Sequence, residues 1–208
     1  MLLKLYEKNT DMQAIDKIVR ALKDGALVIA PTDTVYAWVC DLFNARGVEA
    51  ICKKKGVDVK KGRLSFLCDD IHMASQFAKI DNAAFRLMKN NLPGPFTFIM
   101  EGNSRLPKLF KSRKTVGIRI PDNAIVRMIA RELGNPLMVG SLKSTFDDES
   151  HMDYESYLTD PSLIEERYGD EAAFVIDGGV GRVIPSTIVD CSGGDAEIVR
   201  QGMGELLF

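Results

Sequence analysis

The chain has 208 residues, 46% of them hydrophobic and 27% charged, and carries a net charge of −2. This excludes the disordered class, which is poor in apolar side chains and dominated by one sign of charge, and the length fits one large domain or two small ones. The longest apolar runs, Ala26 to Pro31 and Val35 to Cys40, fall far short of the roughly 20 residues that cross a bilayer, so no membrane span is expected.

In chain order, the first helical signal runs from Asp11 to Leu22. There Ile15, Ile18, Val19 and Leu22 recur at helical spacing, with Thr10 or Asp11 as cap and Gly25 beyond the end. Ala26 to Ala30 is a short apolar strand stopped by Pro31. Asn44 to Lys54 is helical through Val48, Ile51 and Cys52, and Leu64 to Cys68 is a strand. Asp81 caps a helix ending at Asn91, closed by the turn Leu92-Pro93-Gly94-Pro95. Phe96 to Met100 and Val116 to Ile120 are strands. Asp122 is the expected cap of a helix with Ile125, Met128, Ile129 and Leu133 on one face and Gly134 at its end. Leu137 to Ser141 is a strand, Ser162 to Tyr168 a short helix, and Phe174 to Asp177, Thr187 to Asp190 and Glu197 to Arg200 are late strands. Strands that alternate with helices and then follow one another predict an α/β fold: a single domain over residues 1–208, its twisted mixed sheet flanked by helices.

The four cysteines, Cys40, Cys52, Cys68 and Cys191, form no Cys-x-x-Cys pair and read as reduced, mostly buried thiols in a cytoplasmic protein. Met1-Leu2-Leu3-Lys4 opens no apolar signal segment. The charge is unevenly spread. Lys53, Lys54, Lys55, Lys60, Lys61 and Arg63 face a single acid, Asp58, in one stretch; Arg105, Lys108, Lys111, Arg113, Lys114 and Arg119 face none in another. From Asp147 to Glu171 there are ten acids and one Arg, Arg167. Two basic stretches that converge in space would form a hollow for phosphate groups.

Polar motifs cluster where strands end, the usual binding edge of an open α/β sheet. They are Pro31-Thr32-Asp33-Thr34-Val35-Tyr36, Thr115-Val116-Gly117-Ile118-Arg119-Ile120-Pro121, Gly140-Ser141-Leu142-Lys143, Asp177-Gly178-Gly179-Val180-Gly181 leading to Pro185-Ser186-Thr187-Ile188-Val189-Asp190, and Arg200-Gln201-Gly202. An Arg between apolar neighbours on a strand either reaches solvent or pairs in a bidentate way with phosphate or carboxylate. The glycines match neither common phosphate-loop pattern. His72 and His151 lack metal-ligand spacing, no Gly-x-Ser-x-Gly elbow is present, and a Ser141–Lys143 dyad has no evident oxyanion hole.

In this order the motifs, together with Leu64-Ser65-Phe66-Leu67 and Pro93-Gly94-Pro95-Phe96-Thr97, resemble the YrdC/YciO family, whose enzymes are threonylcarbamoyl-AMP synthases. Ala84 to Asn91 looks most like the YciO branch. The resemblance implies a YrdC-like fold with a basic concave cavity. It also implies synthesis of threonylcarbamoyl-AMP and pyrophosphate from L-threonine, bicarbonate and ATP with Mg2+, for tRNA threonylcarbamoyladenosine modification. It places Thr32, Thr34, Arg119 and Ser186 at the threonine and Lys55, Thr115, Ser141 and Arg200 at the nucleotide. No catalytic side chain and no protein-held metal are implied.

Three departures from the family pattern stand out. Lys-x-Arg becomes Lys55-Gly56-Val57, with Lys60, Lys61 or Arg63 as substitutes; Ser-x-Asn becomes Ser141-Leu142-Lys143; and a glycine-rich run becomes Ala37-Trp38-Val39, expected to crowd a close-approaching ligand. Two readings therefore stand side by side: a synthase-type nucleotidyltransferase, and a non-catalytic tRNA or double-stranded RNA-binding protein using the same basic hollow. The acidic 147–171 segment is a candidate cover for that hollow.

Overall fold

Side-chain alternation along a few short strands sorts the apolar residues of this chain onto the two faces of one sheet. The computed structural model describes residues 1–59, 64–142 and 156–208. Its strands are β1 (Leu2–Lys4), β2 (Val28–Ala30), β3 (Ala37–Asp41), β4 (Ser65–Leu67), β5 (Ala78–Lys79), β6 (Phe96–Gly102), β7 (Thr115–Arg119), β8 (Leu137–Ser141), β9 (Phe174–Asp177), β10 (Thr187–Asp190) and β11 (Glu197–Arg200). The helices are α1 (Met12–Lys23), α2 (Ala45–Lys55), α3 (Ile71–Ser75), α4 (Asn82–Asn91), α5 (Ala124–Leu133), α6 (Ser156–Thr159) and α7 (Pro161–Tyr168).

The strands join in the order β1-β9-β2-β3-β8-β4-β7-β6-β10-β11, with β5 also on β6. Pairs β1/β9, β2/β9, β4/β7 and β6/β10 are parallel and the rest antiparallel. The sheet is mixed, as expected.

On one face Trp38, Cys40, Phe66, Phe98, Ile118 and Met138 form a large core closed by α2, α4 and α7. On the other, Val28, Ala37, Val39, Leu67 and Leu137 pack under α1 and α5. Ile15, Ile18 and Leu22 of α1 are fully buried there, each worth about 1.5–3 kcal/mol of apolar transfer. This second layer of helices covers only part of its face. Where β4, β7 and β6 continue past it, Ser65 is in register with Gly117 and Gly117 with Ile99, and Thr97 lies two residues before Ile99 on the same face. A largely polar half-face follows from Ser65, Gly117 and Thr97, left open by α1 and α5 among the described residues.

Several local expectations shift by a residue or two. Asp11 caps α1 by accepting from the Gln13 and Ala14 N–H groups. Asn123, not Asp122, caps α5, its Oδ1 accepting from Val126 N; the Asp122 N–H is committed to Asp33 instead. Pattern reading passes over β3 because all five of its residues are buried, so no alternation marks it. It also passes over β1, β5, α3 and α6, the last two five and four residues long.

Trp38 does not crowd the polar half-face. Its ring lies on the opposite side of the sheet, in the large core, with the Lys54 ammonium 4.4 Å from its centroid. The described part of the acidic stretch also sits there: Ile164 and Leu158 join that core, and Glu171 pairs with Lys54. It does not cover the polar half-face. Residues 147–155 of that stretch lie outside the described residues, as do Lys60, Lys61, Arg63, Lys143 and His151.

Candidate functional site: the polar half-face of the sheet

The Pro31–Tyr36 segment leaves β2 and folds back into β3, and its side chains pack against the end of β7. Arg119, the last residue of β7, is buried, with only 7% of its side chain exposed. Its Nη2 donates to Asp33 Oδ1 and to Thr34 Oγ1, both at 3.0 Å. Asp33 Oδ2 accepts from Asp122 N at 3.0 Å, so both carboxylate oxygens are engaged. Thr32 Oγ1 donates to the Val35 carbonyl at 2.7 Å and lies 3.1 Å from Thr34 Oγ1.

These bonds fix the direction of the protons. With the Thr32 hydroxyl hydrogen on Val35 O, the Thr34 hydroxyl must donate to Thr32, and it accepts from Arg119. Thr32 Oγ1 also accepts from the Thr34 N–H at 3.1 Å, which fills its acceptor capacity, so of the two hydroxyls Thr34 Oγ1 alone keeps a lone pair for a ligand. Among the described residues, buried Arg119 Nε has no hydrogen-bond partner, an unusual debt for a guanidinium. The site thus presents one hydroxyl acceptor, Thr34 Oγ1, beside a cationic donor, the complement of an amino acid's ammonium and carboxylate. Burial pulls the Arg119 pKa down, the Asp33 carboxylate opposes this, and the positive charge of Arg200 adds to the lowering. The group stays charged.

Arg200, at the end of β11, donates through Nη2 to the Ser186 carbonyl at 2.6 Å, while Ser186 Oγ and Thr97 Oγ1 are 2.8 Å apart. Gly117 lies between Ser65 and Thr97. A Cβ there would stand 2.8 Å from Ser65 Oγ and 3.2 Å from Thr97 Cγ2, so the floor of the site is bare backbone for a reason of space. Thr115 is half-buried on the same side of β7 as Gly117 and Arg119.

At the far side, Lys55 at the end of α2 reaches round the end of β8, its Nζ 3.1 Å from both Ser141 O and Ser141 Oγ. Ser141 pairs with Ala37, and Arg119 pairs with Leu67 opposite Leu137. Two strand spacings across and four residues along place Lys55–Ser141 about 16 Å from Arg119. That is the span of an amino acid followed by an extended nucleotide.

The structure thus gathers Thr32, Thr34 and Arg119 tightly, sets Ser186 and Arg200 beside them, and holds Lys55 and Ser141 at the other end, with Thr115 on the shared side. Sequence reading did not assign Asp33, Thr97, Ser65 or Gly117. Thr97 carried a signal, being the one hydroxyl in Phe96 to Met100; Asp33 did not, because its role rests on a partner 86 residues away. The two basic stretches meet only in part. Arg113 Nη1 donates to Val59 O at 3.0 Å, but Arg105, Lys108 and Lys111 turn to the other side of the sheet, near Phe43. Among the described residues, no helix is long and apolar enough to cross a membrane.

Comparison with known proteins matches this fold. The Sua5_yciO_yrdC family model, which carries the description "Telomere recombination", matches residues 20–202. The protein named YciO from Escherichia coli K12 is 30% identical over 204 residues, 97% of this chain and 95% of its own. The crystal structure of E. coli YciO superposes with a TM-score of 0.86 at 29% identity, covering 99% of this chain and 97% of that one. A threonylcarbamoyl-AMP synthase from Vibrio vulnificus is 24% identical over 193 residues, 90% of this chain and 98% of its own. P. abyssi Sua5 complexed with L-threonine shares the fold at 21% identity and a TM-score of 0.83, over 97% of this chain and 57% of that one. The fold, the order of its motifs and a model match covering most of the chain agree: this protein belongs to the Sua5/YciO/YrdC family.

Proposed function

We propose that this protein binds L-threonine and ATP side by side on the polar half-face and joins them, through bicarbonate, as threonylcarbamoyl-AMP. The observation that carries the reading is the buried Arg119, tied to Asp33 and Thr34 and left with an unpartnered Nε. A carboxylate on that edge would be held by the guanidinium, with the ammonium on the remaining acceptor of Thr34 Oγ1 and Thr32 holding that hydroxyl in place. P. abyssi Sua5, which shares this fold, is known in complex with L-threonine.

In the proposed reaction the threonine amine adds to bicarbonate with loss of water. A carbamate oxygen then attacks the α-phosphorus, and the bond to pyrophosphate breaks. No side-chain nucleophile is needed: the work is positioning and charge neutralisation. Arg200 and Lys55 supply positive charge along the nucleotide, and Ser141, Thr115 and Ser186 supply hydroxyls. Mg2+ would enter with the ATP phosphates. The product is an activated carbamate of the kind that modifies adenosine in tRNA, which makes a tRNA-modifying partner the consumer.

The test is pyrophosphate release by the purified protein with MgATP. Release that requires L-threonine and bicarbonate together supports the proposal. Release at the level of ATP alone, with threonine binding intact, would reduce the protein to an amino-acid and nucleotide binder.

A further inference from the structure

A second cationic surface lies on the side of the sheet away from the proposed reaction site. After β6 the chain turns back over the large core, where Leu106 and Phe110 are buried with Phe66, Phe98 and Ile118. Gly117, Thr97 and Ser65 alternate to the opposite face. The loop is firmly tied. Asn103 N donates to Phe77 O at 3.0 Å, Arg105 N to Asn103 Oδ1 at 2.9 Å, and Phe110 N to Pro107 O at 2.8 Å. This anchored backbone presents Arg105, Lys108 and Lys111 around a cavity of about 490 Å3. Its opposite wall is Leu42, Phe43 and Ala45, at the start of α2.

Two features of this cavity point the same way. Arg105, Lys108 and Lys111 form no ion pair with any described residue, and no acid lines the cavity. Phe43 is 52% exposed, far more than a core aromatic, yet its position is fixed. Its N–H donates to Asp41 Oδ1 at 2.8 Å, and its ring packs edge-on against Phe77 with centroids 5.9 Å apart. Unneutralised cations facing a rigid, half-exposed ring form the combination that grips a flexible polyanion with flat bases: phosphates on the cations, a base on the ring.

We propose that Phe43, Arg105, Lys108 and Lys111 form a binding surface for single-stranded nucleic acid. A single strand fits better than a duplex, whose paired bases offer no free face to the ring. The surface is independent of the reaction proposed above, because no residue of one takes part in the other.

The test is fluorescence anisotropy with a labelled oligouridylate, a duplex RNA of equal length and an inorganic polyphosphate chain, on the full-length protein. The expected order is oligouridylate tightest. Phe43→Ala should weaken the oligouridylate at least about fivefold and leave polyphosphate unchanged. The combined variant Arg105→Gln, Lys108→Gln, Lys111→Gln should weaken both probes and make the log–log salt slope shallower by about 2. Its far-ultraviolet circular dichroism and thermal unfolding midpoint should match those of the unaltered chain, which shows that it is folded. Three results would each overturn the proposal: no oligouridylate binding at low salt, binding indifferent to Phe43→Ala, or duplex RNA held as tightly as the single strand.

Discussion

Arg119 is the residue on which the site turns: its ties to Asp33 and Thr34 make it structural, and the proposed reaction gives it the substrate carboxylate. Removing it as Arg119→Ala leaves the Asp33 carboxylate buried opposite nothing, and unfolding by urea should show a loss of about 3 kcal/mol or more. Arg119→Lys keeps the charge and loses the planar fork. Buried thiols give a second prediction. Burial pushes Cys40 and Cys68 well above the ordinary value of 9.0, and Tyr36 is pushed up to about 12. In the unfolded chain these thiols ionise near their ordinary value, while the native state retains their protons. Stability is therefore unaffected below pH 9 and falls above it, by on the order of 1 kcal/mol per pH unit for each thiol. Urea midpoints compared on either side of that pH check the sign, and a midpoint that rises with pH would contradict it.

At the scale of elements, the turn after β2 and the end of β7 are held together by side chains that local pattern cannot foresee. The helix following β7 shows this in one residue. Sequence reading gives Asp122 the cap, since an Asp before an amphipathic run is a sound signal. Asn123 takes it because Asp122 N is engaged by Asp33 across the fold. Asn123→Ala should cost about 1 kcal/mol of stability, measured by thermal unfolding, and Asp122→Ala much less. Gly117→Ala tests the floor of the site. The added methyl must push on Ser65 and Thr97, at a cost of about 1–3 kcal/mol, and should weaken ATP binding in a direct titration. The late strands Phe174–Asp177, Thr187–Asp190 and Glu197–Arg200 are legible from sequence to the residue. The buried β3 is not, because a strand covered on both faces has no alternating pattern.

For the whole molecule, a mixed sheet with one fully covered face and one half-covered face separates stability from binding. The large core lies under α2, α4 and α7, and the hydroxyls and cations occupy the half-face that α1 and α5 leave open. The order of motifs along the chain makes the family legible, and Thr32, Thr34 and Arg119 meet as that order implies. The fate of the positive charge is not legible, because stretches that look continuous in sequence divide between two sides of the sheet: Arg119 goes to one, Arg105, Lys108 and Lys111 to the other. The central claim is that L-threonine is held by the guanidinium of Arg119 on the polar half-face. Calorimetric titration of L-threonine into the unaltered chain and into folded Arg119→Lys tests it most directly. The account predicts a clear heat of binding that falls at least about tenfold in affinity in the variant, the loss expected for a charge-assisted fork, with ATP affinity changed much less. Equal threonine affinity in the two proteins would contradict it.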